Sequence, residues 1–379
     1  MSTAATPHLE ILPEPILCLA FETGVSDWKI AFSTGLGQRP RIRSLPARDF
    51  DRLLQEIARA KERFSIPADA RVVSCYEAGR DGFWLHRALL ALGIENQIVD
   101  SASIEVNRRK RRAKSDRLDA GKLVGMLLRW LSGDRKVWSV VRAPTPEEED
   151  RRQLHRELMT TKRDRTRVTN RIRSLLFAQG ICLSELRALP ARLGKLRLWN
   201  GEALPARLRE RIEHEWEKVE QLTLQIRALV AERRKQLKSA ADAGSECARK
   251  LFRLRAIGVN AAWLYSLEFF AWRDFQNGRQ IGALAGLTPT PYQSGNDTRE
   301  QGIGKSGNRW VRALSIEVAW AWLRYQPQSE LSRWYERRFG HGSSRMRRIG
   351  IVALARKLLI QLWRYLESGT PPTGALLKA

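Results

Sequence analysis

The chain has 379 residues, of which 67 are Lys or Arg and 41 are Asp or Glu, a formal charge of +26, with 43% hydrophobic residues and 13 Trp. That length exceeds one ordinary core and implies two or three domains, and the apolar content excludes a disordered basic tail. Positive charge spread along the whole length implies a polyanion as partner, because the excess otherwise repels itself. Cys18, Cys75, Cys182 and Cys247 lie far apart with no Cys-x-x-Cys, so neither a disulfide framework nor a zinc site is readable, and a reducing cytoplasm fits best. No stretch approaches the about 18 uninterrupted apolar residues of a membrane span, and no export signal opens the chain.

In chain order, Ile16 to Phe21 reads as a buried strand ending at Glu22, and Asp27 to Phe32 alternates as a second strand. Arg41 to Leu45 forms a third. Asp49 to Phe64 has helical spacing of Phe50, Leu53, Leu54 and Ile57, and Arg71 to Tyr76 is a buried strand ending at Glu77. A helix follows over Asp81 to Leu92, then a strand over Gln97 to Val99 and a helix over Asp116 to Leu131. Strands first in a meander, then alternating with helices, describe an α/β domain of ribonuclease H type more closely than a doubly wound one. Pro144-Thr145-Pro146 and the acids Glu147 to Asp150 end that domain and open a helix, giving residues 1–143 as the first domain.

Leu154, Leu158, Val168, Ile172 and Leu175, then Ile212, Trp216, Val219, Leu222, Ile226 and Leu229, keep coiled-coil spacing over many turns. The segment from Gly180 to Pro205 breaks this pattern into an antiparallel hairpin, residues 144–245. From residue 246 to 379 glycine-rich turns alternate with helices in a mostly helical domain. Asn308 caps a helix bearing Val311, Leu314 and Val318, and Arg348 to Leu366 closes the fold.

The chemistry concentrates at Ser115-Asp116-Arg117-Leu118-Asp119, two acids three apart at a helix start, behind Arg108, Arg109, Lys110, Arg111, Arg112 and Lys114. With Glu22 and Glu77 at strand ends, Asp116 and Asp119 make four carboxylates, enough for two Mg²⁺ ions about 4 Å apart, with the basic run placed to hold phosphates. A solvated loop is the plainer account of that run, and a helix cap the plainer account of Asp116. Gly302 to Gly307 imitates the end of a phosphate-binding loop, but Arg299 stands where its first glycine belongs, which excludes an NTPase. Ser294 occupies a Gly/Pro-shaped turn, where serine is usually structural. Leu254 to Ala262 reads as helix, glycine turn and helix, a corner that either holds a phosphate on backbone N–H groups or merely turns the chain.

Tyr76-Glu77-Ala78-Gly79, Trp84 to Leu89 and Lys114 to Leu123 resemble the N-terminal domain of the insertion-sequence-110 transposases and the Piv DNA invertase. Ile257-Gly258, Phe275, Ala283 to Pro289, Ser294-Gly295 and Gly304 to Arg309 are similar to that family's C-terminal domain, in the same order. The resemblance implies a Holliday-junction-resolvase-like ribonuclease H domain, a coiled coil and a C-terminal domain supplying a serine nucleophile. Its acids fall on Glu22, Glu77, Asp116 and Asp119, and its serine on Ser294. Glu22 stands where the family has Asp, moving the carboxylate by about a bond length, a difference that matters to an ion as geometrically strict as Mg²⁺. Asp100, at the next strand end, is a spare ligand. The resemblance further implies DNA as substrate, a structured guide RNA, and a homo-oligomer, dimer or tetramer, formed through the coiled coil. Lys305 and Arg309 join residues 108–114 as candidate nucleic-acid contacts. The alternatives are a resolvase-like endonuclease using water and a non-catalytic nucleic-acid binder.

Overall fold

A computed structural model describes residues 15–79, 82–104, 116–239, 242–294, 297–304 and 307–378; of the side chains within these, those of residues 102, 116–118 and 291–301 fall outside the description. The chain divides into two compact units, Met1–Pro144 and Thr145–Ala379.

The first unit is built on a mixed sheet. Strands β1 (Ile16–Thr23), β2 (Asp27–Ser33) and β3 (Arg41–Pro46) form an antiparallel meander, and β4 (Arg71–Glu77) and β5 (Glu95–Val99) add in parallel on the other side of β1, giving the order β3-β2-β1-β4-β5. The unbroken apolar run of β1 is explained by burial on both faces. Leu17, Leu19 and Phe21 pack with Trp28, Ile30 and Phe32 against α1 (Phe50–Arg63) and α2 (Trp84–Ala91). Ile16, Cys18 and Ala20 pack with Val73, Cys75 and Val99 against α3 (Asp116–Leu131). Trp28 anchors the first face, its ring edge-on to Phe21 at 5.9 Å and tilted on Trp84 at 6.0 Å. Cys18 and Cys75 serve as small apolar groups: burial pushes the Cys18 thiol up to about 12 and raises that of Cys75 well above its ordinary value.

The second unit opens with α4 (Pro146–Phe177), which starts where Pro144-Thr145-Pro146 ends the first. Thr145 Oγ1 accepts from Glu148 N at 3.2 Å, and Glu148 Oε2 accepts from Thr145 N at 2.8 Å, a reciprocal cap that satisfies two otherwise orphaned donors. A short α5 (Leu189–Leu193) precedes α6 (Ala206–Ser239), and α4 and α6 run antiparallel: Arg171 Nη1 donates to Glu215 at 2.8 Å, and further along Gln225 donates to Glu157 at 2.9 Å. Ile172, Leu176, Leu186, Leu189, Leu193 and Ile212 form a small core of their own at the tip. The sequence reading takes Gly180 to Pro205 as a break; in the structure it is a folded cap.

The base of this hairpin buries charge. Arg152, His155 and Arg233 are each under 5% exposed. Arg152 lies over Trp272 at 5.0 Å, Arg233 lies over Trp263 at 6.0 Å and donates to Asn260 at 3.0 Å, and Arg156 makes a double hydrogen bond to Glu268. The rest of the unit comprises α7 (Ala243–Phe252), α8 (Val259–Tyr265), a π-helical turn (Ser266–Phe270), α9 (Gly278–Leu284), α10 (Arg309–Tyr325), α11 (Glu330–Tyr335), a second π-helical turn (Glu336–Gly340) and α12 (Ser344–Ser368). The buried Gln326 ties the end of the chain to this core: its amide donates to the carbonyls of Arg255 and Leu376 and accepts from Leu376 N at 2.7 Å.

The segment read as glycine-rich turns instead holds two paired antiparallel strands, β6 (Pro289–Ser294) and β7 (Asp297–Ile303). The prolines at 289 and 291 weaken the strand signal, and a two-stranded ribbon tolerates them where an interior strand does not. Gly307 completes the turn back into α10 with φ +94° and Leu284 O only 2.3 Å from where a Cβ would lie, so only glycine fits.

His155 makes the second unit sensitive to acid. Burial first, then Arg233, Lys162 and Arg156 against the opposing Glu268, depress its imidazole from the usual 6.5 to about 4. The folded state therefore takes up a proton later than the unfolded chain, so the contribution is complete above about pH 6.5 and is lost as pH falls toward about 4, by roughly 3 kcal/mol. His155→Leu, which also removes two buried ring nitrogens that have no hydrogen-bond partner among the described residues, is expected to flatten melting temperature between pH 7 and pH 4.5 relative to wild type. Parallel melting curves across that range for the two proteins would refute this account.

Candidate active site

Two candidate acids are set by strand pairing alone. β1 and β4 are parallel neighbours in the register Phe21↔Tyr76, so Glu22 and Glu77 are the next residues on adjacent strands, at their carboxyl ends. Cys18 and Ala20 on β1, and Val73 and Cys75 on β4, face α3; the two-residue period carries Glu22 and Glu77 to that same face. Strands lie about 4.8 Å apart, which makes the two positions neighbours along the sheet. Glu22 is half-buried and opposes Lys29 across the β1–β2 pair, whereas Glu77 is exposed. One strand further, Ala78 N donates to Val99 O at 2.8 Å, which puts Asp100 at the end of β5 in the same row of strand ends. The backbone of Asp100 is held by Ser139 O and by the hydroxyl and N–H of Ser103.

Helix α3 supplies the third and fourth acids. Ala120, Leu123, Val124, Leu127 and Leu128 bury its inner stripe, and Cys75 Sγ reaches Leu123 O at 4.0 Å, so the helix crosses the sheet in the row just before Glu77. Asp116 is four residues before Ala120, and Asp119 is four before Leu123, which places both positions on the sheet-facing side of the first turn. Acids are favoured there by the helix dipole. The Asp119 carboxylate is 27% exposed and pairs with Lys122 Nζ at 3.0 Å. The Asp116 side chain lies outside the described residues. Among those described, no three His, Cys, Asp or Glu side chains are gathered into a metal-holding group.

Ser294 belongs to the second unit. It is the last residue of β6 and pairs with Asp297, closing the ladder at the tip of the hairpin, so its backbone is set by a β-ribbon rather than by a loose turn. Arg309 opens α10, next to Asn308, whose side chain accepts from Trp310 N and Val311 N. The Arg309 and Arg163 guanidiniums both lie over the Trp310 ring, at 5.6 Å and 4.7 Å, so two cations share one aromatic platform close to the β6–β7 ribbon in the chain. Residues 108–114 and Lys305 lie outside the described residues. The sequence reading passed over a second basic cluster, Arg333 to Arg348, whose arginine density was the available signal.

Comparison with known proteins gives these units a family. The family model described as Transposase IS116/IS110/IS902 matches residues 248–333. A putative transposase y4rJ of Sinorhizobium fredii is 39% identical over 377 residues, covering 95% of this chain and 94% of the relative. Transposases for the insertion sequence elements IS1328 of Yersinia enterocolitica and IS1111A of Coxiella burnetii are 27% and 25% identical, over 60% and 63% of this chain and 66% and 63% of their own lengths. The chain belongs to the IS116/IS110/IS902 family of insertion-sequence transposases, which makes DNA its partner. No helix among the described residues is long and apolar enough to cross a membrane.

Because Glu77 is exposed at a strand end, its carboxylate is expected to contribute little to folding. Glu77→Gln is expected to leave unfolding free energy within about 0.5 kcal/mol of wild type, measured by urea titration. A loss of several kcal/mol would mean that the acid is structural.

Proposed function

We propose that this transposase cuts and rejoins DNA strands with Ser294 as nucleophile and with Glu22, Glu77, Asp116 and Asp119 as its metal-holding acids. The observation that carries the reading is the placement of Glu22 and Glu77 side by side at the ends of neighbouring parallel strands, on the face that α3 covers with Asp119 in its first turn. A meander of three strands continued by two parallel ones, with a helix bringing acids back to the first strand, supports a ribonuclease H or resolvase-like origin for this unit.

The donor set suits Mg²⁺, which takes carboxylate oxygens and retains water. Glu22, Glu77, Asp116 and Asp119 would hold two such ions, with Asp119 exchanging the Lys122 ammonium for a metal. Bound there, the metal would neutralise charge on the phosphate oxygens during attack and departure. The chain's own groups perform the transfer. The Ser294 oxygen forms a bond to phosphorus as the bond to one strand oxygen breaks, leaving a phosphoserine link and a free strand end. Attack by another strand end on that link reverses the exchange, so the strands rejoin without water or an energy source. Arg309 beside Trp310, and the basic residues 108–114, hold the phosphates that flank the break. The formal charge of +26 supports a structured guide RNA as second partner beside the DNA, with base pairing choosing the DNA. Exposed Phe177 and Trp199 near the tip of the α4–α6 hairpin support a homo-oligomer formed through it.

Incubation of the protein with DNA carrying the element ends and Mg²⁺, followed by denaturing gel electrophoresis, is expected to trap a protein–DNA adduct that maps to Ser294. Ser294→Ala is expected to lose the adduct and lower strand joining on the order of 10³-fold or more. Cleaved DNA with no adduct would instead assign a water-using endonuclease. Independently of activity, Mg²⁺ is expected to raise the melting temperature of wild type, and not that of a Glu77→Gln, Asp119→Asn variant, because an ion bound only by the folded state stabilises it.

A further inference from the structure

At and beyond the end of the family-matched segment, residues 333–348 hold six arginines against the single acid Glu336. Arg333, Arg337, Arg338, Arg345, Arg347 and Arg348 are all exposed, and none forms a salt bridge among the described residues. Three of them stand in the first turns of the 25-residue α12, whose first turn holds no acid. Cations at the positive end of a long helix raise the energy of the fold, and they are retained at a gain only when an anion comes to them.

Two of them, Arg347 and Arg348, line a cleft of about 570 Å³ together with Trp320, Tyr335, Glu336, Gly340 and Ser344. Its wall is Trp320 on α10, an indole left 49% exposed. The π-helical turn Glu336–Gly340 also lines it and carries Glu336 back over Gly340, with a carboxylate oxygen 2.2 Å from where a Cβ would be, so a side chain at 340 would displace that carboxylate. The cleft therefore combines an exposed aromatic face, one hydrogen-bond acceptor and a rim of guanidiniums. A duplex cannot offer a base face to the indole. An unpaired nucleotide satisfies all three: its base stacks on Trp320, an exocyclic amino group donates to Glu336, and its phosphates meet Arg347 and Arg348.

We propose that this cleft binds one unpaired nucleotide of a single-stranded nucleic acid, with preference for a base that carries an exocyclic amino group, such as cytosine, over thymine or uracil. The inference deepens the nucleic-acid reading above and rests on it only for the class of partner; the chemistry of Ser294 is not involved. Unpaired DNA and unpaired RNA share the recognised groups.

The test uses the full chain and 12-residue single strands of DNA or RNA, each carrying one 5-iodocytosine, irradiated to cross-link the halogenated base to a stacked aromatic ring and mapped by mass spectrometry. The expected result is a cross-link on Trp320, with either sugar; the sugar that cross-links more strongly identifies the source. Competition with unlabelled strands is expected to show oligocytidine displacing the probe on the order of tenfold better than oligothymidine, a preference that Glu336→Gln reduces. Arg347→Glu with Arg348→Glu is expected to weaken cross-linking on the order of tenfold or more and to reduce its dependence on salt. Because Trp320 is on the surface, Trp320→Ala is checked by its melting curve and is expected to fold and to lose the cross-link. Cross-links that map only elsewhere, or capture of the probe in duplex form alone, would overturn the proposal. Loss of the Ser294 adduct with an intact Trp320 cross-link would overturn the recombinase reading and leave the cleft; an intact adduct without the cross-link would do the reverse.

Discussion

The parallel pairing of β1 with β4 is the constraint on which the arrangement of the first unit depends. Two acids separated by 54 intervening residues become neighbours only because Phe21 stands beside Tyr76 in a ladder whose backbone hydrogen bonds admit no intermediate register. A slip of one residue on either strand would turn Glu22 or Glu77 from the α3 side to the side covered by α1 and α2, and would expose half of a core that includes Leu17, Leu19 and Phe21. Each of those buried side chains contributes roughly 1.5–3 kcal/mol, so the apolar pattern holds the acids in place far more strongly than the acids hold themselves. Helix α3 is fixed by the same means, through Ala120, Leu123 and Leu127, and Asp119 stands in its first turn.

The second unit uses charge in the opposite way. At the base of the hairpin Arg152 and Arg233 are taken out of water and laid on tryptophan rings, and Arg156 is held by both oxygens of Glu268. Buried cations of this kind are costly unless aromatic faces and a carboxylate compensate them, and they fix the register of α4 and α6 on the helices beneath. On the outside, Arg163 and Arg309 flank Trp310, and Arg345, Arg347 and Arg348 crowd the start of α12 without acidic partners among the described residues. The unit thus spends its cation–aromatic contacts both on its own packing and on surfaces that suit phosphate and base.

Part of this was legible in the residues themselves. The double-sided apolar run of β1, the alternation of β2 and the end of the first unit at Pro144-Thr145-Pro146 follow from local periodicity and from the shape of proline. The heptad-like spacing of Leu158, Ile172, Ile212 and Ile226 foretold two long helices, because a continuous stripe at three- and four-residue intervals buries only as a helix. The β6–β7 ribbon was not legible: two prolines in six residues argue against a strand, and nothing local reveals that Ser294 and Asp297 close a ladder. The tip core of Leu186, Leu189 and Leu193 was hidden for a related reason, since three leucines in a segment rich in breakers have meaning only once Ile172 and Ile212 are brought to them.

Charge, period and motif are properties of neighbours along the chain, and they were enough to read a basic insertion-sequence transposase with acids at strand ends. That Glu22 and Glu77 share one face, that Asp119 is already paired with Lys122, and that Trp320, Glu336 and Arg347 border one cleft emerges from the folded chain alone. Those relations join residues distant in sequence, or depend on how a π-turn aims a side chain, and the energy that fixes them comes from cores to which these residues do not themselves belong.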